Sequence, residues 1–171
     1  MKKNFLSIET SINRIFLVLY IDRKLFSLEK SVNGSIEEKL NDLIKNIFTE
    51  NKCKYSAIDF VLISLGPGSY TGIRVGLAAA KAISLTLKKP LLGYSNFNSI
   101  YSQGLISKTI NKHEEVGILI KANKYEFFFQ DLKNNKSESS NIFDYEILKK
   151  TNKLPNRLIG DTDLNYETVI Y

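Results

Sequence analysis

Apolar residues recur along this chain with two periods, and the changes of period lay out its elements. Phe5–Ile8 reads as a short strand, and the polar run Glu9-Thr10-Ser11-Ile12-Asn13 turns the chain. Ile15–Ile21 is continuously apolar, which predicts a strand covered on both faces. Asp22-Arg23-Lys24 is a tight turn, and Leu25–Ser31 alternates as a third strand. Such short links favour antiparallel neighbours. Asn33-Gly34-Ser35 breaks the pattern, and Ser35 can cap a helix. On that helix Ile36, Leu40, Leu43, Ile44, Ile47 and Phe48 form an apolar stripe, opposite Glu37, Glu38, Asp42 and Lys45. Its acids sit in the first turn, where the helix dipole favours them. Phe60–Leu65 follows this helical crossover and is expected to run parallel to an earlier strand.

The strand Phe60–Leu65 enters the turn Gly66-Pro67-Gly68-Ser69-Tyr70-Thr71-Gly72, and a helix is predicted over Gly72–Leu87, stopped by Lys88-Lys89-Pro90. Leu91–Tyr94 is a further strand, and Ser95 or Asn96 can cap a helix over Phe97–Ile106. The second half follows the same plan without sequence identity. Val116–Ala122 and Glu126–Leu132 are strands, with a weaker one near Lys136–Asn141. Asp144 can cap a short helix through Lys150, and Leu158–Gly160 and Thr168–Tyr171 read as strands. The second copy stops before a long final helix, so it is read as shortened.

The Gly72–Leu87 helix is apolar on nearly every side. Gly72, Gly76 and Ala80 recur every four residues, Ala79 and Ile83 widen that face, and Val75, Ala78, Ala82 and Leu85 form another. Only Arg74, Lys81 and Lys88 make a polar stripe. A helix apolar nearly all round must be buried nearly all round. Either the chain's own sheet and the Ile36–Phe48 helix cover it, or a partner packs on the small-residue face. The shortness of the chain favours the partner.

The remaining chemistry is sparse. A single histidine, His113, lies between Lys112 and Glu114, so a zinc site has no ligands of workable spacing, and nothing in the sequence points a nucleophilic serine at the one base a Ser-His-Asp triad would need. The lone Cys53 excludes an internal disulfide and suits a reducing compartment. No apolar run is long enough to cross a bilayer, no signal-peptide core follows the first lysines, and a cytoplasmic protein without membrane contact is expected. The net charge of +6 is compatible with RNA nearby, but the lysines are spread along the sequence rather than clustered. The glycine turn is one residue too long for a dinucleotide fingerprint and lacks the P-loop lysine. Glu9, Thr10 and Ser11, with Gly66, Gly68 and Ser69, are still the residues that could hold a phosphate, with Asp161 and Asp163 as distant additions. No metal site is expected.

Gly66-Pro67-Gly68-Ser69-Tyr70-Thr71-Gly72-Ile73-Arg74-Val75-Gly76-Leu77-Ala78-Ala79-Ala80-Lys81 resembles the signature of the TsaB (YeaZ) family, accessory subunits of the bacterial system that makes threonylcarbamoyladenosine in tRNA. Leu6-Ser7-Ile8-Glu9-Thr10-Ser11, Pro90-Leu91-Leu92-Gly93-Tyr94-Ser95 and Leu158-Ile159-Gly160-Asp161 are similar to further segments, and Lys121–Phe127 to a degraded one. The family's His-Ser pair is replaced by Asn33-Gly34-Ser35. The resemblance implies an α/β fold of the actin-like, sugar-kinase-like (ASKHA) type. It has two lobes, each with a mixed sheet and helices, here residues 1–105 and a shortened 106–171. It implies a non-catalytic scaffold that binds TsaD as a heterodimer, with TsaE joining and tRNA reached indirectly. A self-complementary surface on the same helices can also serve a homodimer in isolation. Carried onto this sequence, the docking surface is Ile36, Leu40, Leu43, Ile47, Gly72, Arg74, Gly76, Ala79, Ala80 and Ile83. No cofactor is expected to be held firmly by this chain, and ATP with magnesium is left open for the complex. The alternative is a small ATP-binding phosphotransferase or ATPase of the same fold.

Overall fold

A computed structural model describes residues 3–12, 14–31, 35–123, 125–133, 136–137, 141–144, 147, 150, 155, 157–161 and 169–170. The chain divides into two units, residues 1–95 and 96–171.

In the first unit, β1 (Phe5–Glu9), β2 (Arg14–Ile21) and β3 (Lys24–Ser31) form an antiparallel meander. The two-residue turn between β2 and β3 places Asp22 and Arg23 at φ 51° and 66°, the left-handed pair that matches strand twist in a hairpin. Helix α1 (Ile36–Glu50) crosses over to β4 (Phe60–Ser64), and α2 (Tyr70–Leu87) crosses to β5 (Leu91–Tyr94). Both crossovers return parallel strands, so β4 pairs with β1 and β5 with β4, in the order β3-β2-β1-β4-β5. The parallel placement of Phe60–Ser64 matches the sequence expectation, for the reason given there.

Local signals set the helix ends. Ser35 accepts a hydrogen bond from the Glu38 N–H at 3.4 Å, and Ser69 accepts one from the Gly72 N–H at 3.2 Å. Because Ser69 is the cap, α2 starts at Tyr70, two residues before the predicted start. Lys88 closes α2 in the left-handed conformation, with the N–H groups of Lys88 and Lys89 donating to the Leu85 and Ser84 carbonyls, and Pro90 cannot continue the helix.

One face of the sheet meets both helices. Leu6, Ile8, Leu17, Leu19, Val61 and Ile63 pack there with Leu40, Ile44, Ile47, Phe48 and Ala80. Each such Leu or Ile side chain contributes on the order of 1.5–3 kcal/mol when fully buried. The expectation that Ile15–Ile21 is covered on both faces is corrected. Ile15, Leu17, Leu19 and Ile21 are buried, whereas Phe16, Val18 and Tyr20 are only half-buried. Their face carries aromatic rings that shield one another, with Phe5 stacked against Tyr20 at 5.5 Å and against Phe60 at 5.4 Å.

The second unit begins with α3 (Asn96–Ile106), not after it, which moves the expected boundary from 105/106 to 95/96. The reason is packing: Phe97, Ile100, Tyr101 and Leu105 join a core with Ile110, Val116, Ile118, Ile120, Leu132 and Ile159. Its sheet contains β6 (Val116–Lys121), β7 (Glu126–Lys133), β8 (Lys136–Ser137), β9 (Asn141–Asp144), β10 (Arg157–Asp161) and β11 (Val169–Ile170). The order is β11-β10-β6-β7-β8, with β9 also on β7; β10 runs parallel to β6 and β7 antiparallel to it. The single weak strand expected near Lys136–Asn141 is thus two short pieces, with residues 138–140 outside those described. Of the helix expected through Lys150, the described part shows the Asp144 carboxylate accepting from the Ile147 N–H at 3.3 Å.

Candidate functional site

The β1–β2 turn forms a buried polar knot. Glu9, Thr10 and Ser11 are 7%, 2% and 2% exposed. One Glu9 carboxylate oxygen accepts from the Ser11 N–H and from the Ser11 hydroxyl, both at 2.5 Å. The Ser11 and Ser64 hydroxyls lie 3.5 Å apart, and the Ser64 hydroxyl accepts from the Gly66 N–H at 3.1 Å. The Ser69 N–H donates to the Ser11 carbonyl at 2.7 Å, and the Thr10 hydroxyl donates to the Gly72 carbonyl at 2.8 Å.

All six residues picked out for phosphate binding, Glu9, Thr10, Ser11, Gly66, Gly68 and Ser69, therefore meet at one junction. They meet to satisfy one another. The N–H groups of Gly66, Ser69 and Gly72, which would cradle an anion, donate to Ser64, Ser11 and Ser69. A side chain at Gly68 would overlap the Ser11 carbonyl, so the turn lies directly on the loop it faces. These residues do not fit a magnesium-nucleotide: the carboxylate is turned back onto Ser11, and the N–H groups of Gly66, Ser69 and Gly72 have partners. Asp163 and the Asp161 side chain lie outside the described residues. Among the described residues no three His, Cys, Asp or Glu side chains are grouped as metal ligands would be. His113 is exposed, and the Cys53 thiol, half-buried, donates to the Asn51 carbonyl at 3.3 Å.

The small-residue face of α2 is the buried one. Gly72, Gly76 and Ala80 face the β1–β2 turn and the sheet. A Cβ on Gly72 would overlap the Thr10 carbonyl oxygen, and one on Gly76 would overlap the Thr10 hydroxyl and approach the Ile63 side chain. Leu40 and Ile47 are likewise buried in the first unit's core, at 1% and 2% exposure. Five residues expected at the partner surface, Gly72, Gly76, Ala80, Leu40 and Ile47, thus pack against their own chain. The physical reason is that the glycines admit the turn's backbone, which a larger residue would hold away.

What α1 and α2 leave open is the other side. Tyr70, Thr71, Arg74, Ala78, Ala82 and Leu85 are exposed on α2, Tyr70 and Leu85 at 73% and 78%. Between the helices runs a groove of about 580 Å³. Val75, Ala78, Ala79 and Ala82 form its α2 wall, Leu40 and Asn41 its α1 wall, and Glu37, Tyr70 and Arg74 its charged and aromatic mouth. The Arg74 guanidinium stands 5.4 Å from the Tyr70 ring centre. Backbone hydrogen bonding at the helix start, helped by the Ser35 hydroxyl, holds the Glu37 carboxyl below its ordinary pKa. The mouth therefore presents one fixed anion and one cation beside an apolar floor. Of the expected surface residues, Arg74 and Ala79 line this groove, and Ile36, Leu43 and Ile83 are half-buried against the core. Glu37, Asn41, Tyr70 and Thr71 were not among the residues expected at the surface. Ala78 and Ala82 were visible as the second apolar face of the helix.

The paired mixed sheets and the crossover helices define a member of the actin-like fold class. A protein from Bacteroides thetaiotaomicron described as having an actin-like ATPase fold superposes with a TM-score of 0.54 at 12% identity, covering 96% of this chain and 84% of that one. YeaZ from Pseudomonas aeruginosa superposes with a TM-score of 0.73 at 16% identity, over 93% of this chain and 75% of that one. A family model described as TsaD, tRNA N6-adenosine threonylcarbamoyltransferase, matches residues 33–160. The tRNA threonylcarbamoyladenosine biosynthesis protein TsaB of Buchnera aphidicola subsp. Schizaphis graminum is 31% identical over 118 residues, 69% of this chain and 54% of that protein. The chain belongs to this family of tRNA threonylcarbamoyladenosine proteins, in its TsaB (YeaZ) group. It spans about half the length of that curated relative.

Proposed function

We propose that this chain is an accessory subunit in tRNA threonylcarbamoyladenosine biosynthesis and docks on TsaD through the open side of α1 and α2. The observation that carries this reading is the α2 face formed by Tyr70, Ala78, Ala82 and Leu85, exposed beside an apolar groove. Exposed apolar area joined to an aromatic and an arginine is the composition of a protein interface centre. The role is that of a non-catalytic scaffold in the cytoplasm, with TsaE joining the assembly and no nucleotide held firmly by this chain alone. In support, the Glu9 carboxylate and the N–H groups of Gly66, Ser69 and Gly72 are bonded within the chain. Glu37 and Arg74 at one mouth also make the surface self-complementary in charge, which favours a homodimer when TsaD is absent.

Co-expression with tagged TsaD tests the reading. The chain is expected to co-purify, and Ala78→Arg with Ala82→Arg is expected to abolish recovery while leaving the fold's circular dichroism unchanged. Undiminished recovery of that variant would overturn the docking surface. In the reconstituted system, Glu9→Gln is expected to support product formation in proportion to its folded fraction. Loss of the product with the folded complex intact would overturn the non-catalytic role.

A further inference from the structure

The lysines that look dispersed in sequence are collected by the topology at one end of the first unit. Strands β1, β4 and β5 are parallel and start together, with Phe5 beside Phe60 and Val61 beside Leu91. The β2–β3 hairpin turn lies at the same end, because Tyr20 pairs with Phe5 and Ile21 with Lys24. Both helices end there too, since each leads back to the start of a parallel strand. Asn4 ties these pieces together. Its side chain donates to the Ala57 carbonyl at 3.0 Å and accepts from the Asp22 N–H at 3.1 Å, and its own N–H donates to the Asp59 carboxylate at 2.8 Å.

Seven cations flank these junctions: Lys3 before β1, Arg23 and Lys24 in the hairpin, Lys52 and Lys54 after α1, and Lys88 and Lys89 after α2. All but the half-buried Lys89 are exposed. Against them stand three carboxylates, Asp22, Glu50 and Asp59, of which Asp59 is already held by Asn4. Two helix C-termini add negative partial charge, equivalent to roughly half an elementary charge each, which the lysines outweigh. The opposite end is balanced instead: Arg14 pairs with Glu29 at 3.0 Å, and Glu9, Glu37 and Glu38 offset Lys30, Lys39 and Arg74. The charge of this unit is therefore polar along the strand direction. Five strands at about 4.8 Å spread the cations over roughly 20 Å, room for several phosphates of one backbone. Tyr55 sits within the row, stacked on Phe48 at 4.0 Å with its outer side exposed, where an unpaired base can stack.

We infer that this cationic end is a contact surface for the phosphate backbone of RNA. The partner is chosen by its chemistry: a row of flexible cations with one exposed aromatic matches a polyanion bearing stacking bases. An acidic protein segment would not use the ring in this way. The inference goes beyond docking on TsaD, uses none of the groove residues, and stands or falls separately.

The experiment is fluorescence anisotropy of the full chain with a labelled, unmodified tRNA transcript, at about 50 mM and about 200 mM salt. Binding is expected at the lower salt, weakening steeply at the higher. The variant Lys24→Gln/Lys54→Gln/Lys89→Gln is expected to bind at least tenfold more weakly. A variant of equal charge change elsewhere, Lys45→Gln/Lys108→Gln/Lys112→Gln, is expected to change affinity less than threefold. Tyr55→Leu should weaken binding several-fold with the salt slope kept. Equal loss in the two triple variants would overturn the proposal, as would absence of tRNA binding at low salt. Binding of polyglutamate at the cationic end with no tRNA binding would overturn it in favour of an acidic protein partner. Thermal melts of each variant identify any that fail to fold, and single substitutions of the same three lysines then replace that triple.

Discussion

The Thr10 hydroxyl donates to the Gly72 carbonyl at 2.8 Å, so the first turn of the chain is bonded to the first turn of α2, 62 residues later. Gly72 and Gly76 make that approach available, and the space they leave is filled by Thr10 itself. A glycine stripe that reads as an open docking face is in fact the seam between a loop and a helix of one unit.

Enlarging the seam is therefore expected to damage folding rather than docking alone. Gly72→Ala drives a methyl group into the Thr10 backbone, which has no rotamer by which to give way. It should destabilise the chain by about 1–3 kcal/mol, the range for overpacking. Gly76→Ala meets the Thr10 hydroxyl, which can rotate at the expense of its hydrogen bond, so its loss should be the smaller. Urea midpoints of the two variants, measured side by side, check this order.

Thr10→Val keeps the shape and removes the donor. A loss of about 0.5–1.5 kcal/mol is expected, because the Gly72 carbonyl is buried beneath the turn. Thr10→Ser should recover most of it in the same denaturation assay. An undiminished midpoint in Thr10→Val, with a loss in Thr10→Ser, would mean that the methyl group, and not the bond, holds the seam.

The two helix caps differ in setting. Ser69 accepts from the Gly72 N–H in a partly buried bond of 3.2 Å, whereas the Ser35 bond is longer, at 3.4 Å, and exposed. Ser69→Ala should cost about 1 kcal/mol, and Ser35→Ala less. Helix-specific hydrogen exchange, read at α2 and α1 respectively, resolves the difference.

Alkaline unfolding should involve Tyr94. Burial, the largest cause, raises its phenol above the ordinary 10.0; the Ser7 hydrogen bond opposes it, and the nearby Glu9 carboxylate adds a smaller upward effect. A folded-state pKa above the unfolded one means that the folded chain holds the proton longer. Its contribution is complete below pH 10.0 and is lost as pH rises through the folded value. Tyr94→Phe is expected to flatten the stability profile above that pH and leave it unchanged at neutrality. A persistent alkaline limb in the variant would assign it elsewhere.

Much of the fold was legible from periodicity. The α1 stripe of Leu40, Ile44, Ile47 and Phe48 is the buried stripe, and the run from Phe60 became a parallel strand because a helical crossover precedes it. Glu9, Thr10 and Ser11 were recognised as belonging with the glycine turn, and they do meet it. Their role is open in sequence, because a polar residue near a glycine turn looks the same whether it waits for a ligand or satisfies its own backbone. The extent of α3 was nearly right, yet its unit was wrong, since only the packing of Phe97 on Ile110 and Ile118 decides which sheet a helix serves.

Sequence alone determined the order and kind of the elements and their stop signals, because these depend on neighbours within a few residues. It also determined the family, through the run Gly66–Lys81. Tertiary structure decided which face of α2 is sealed and which is open, and that lysines as far apart as Lys3 and Lys89 share one end of a sheet. Both depend on contacts between segments dozens of residues apart. A linear pattern records that a helix has two apolar faces, but only the partner segment that arrives from elsewhere fixes which one it covers.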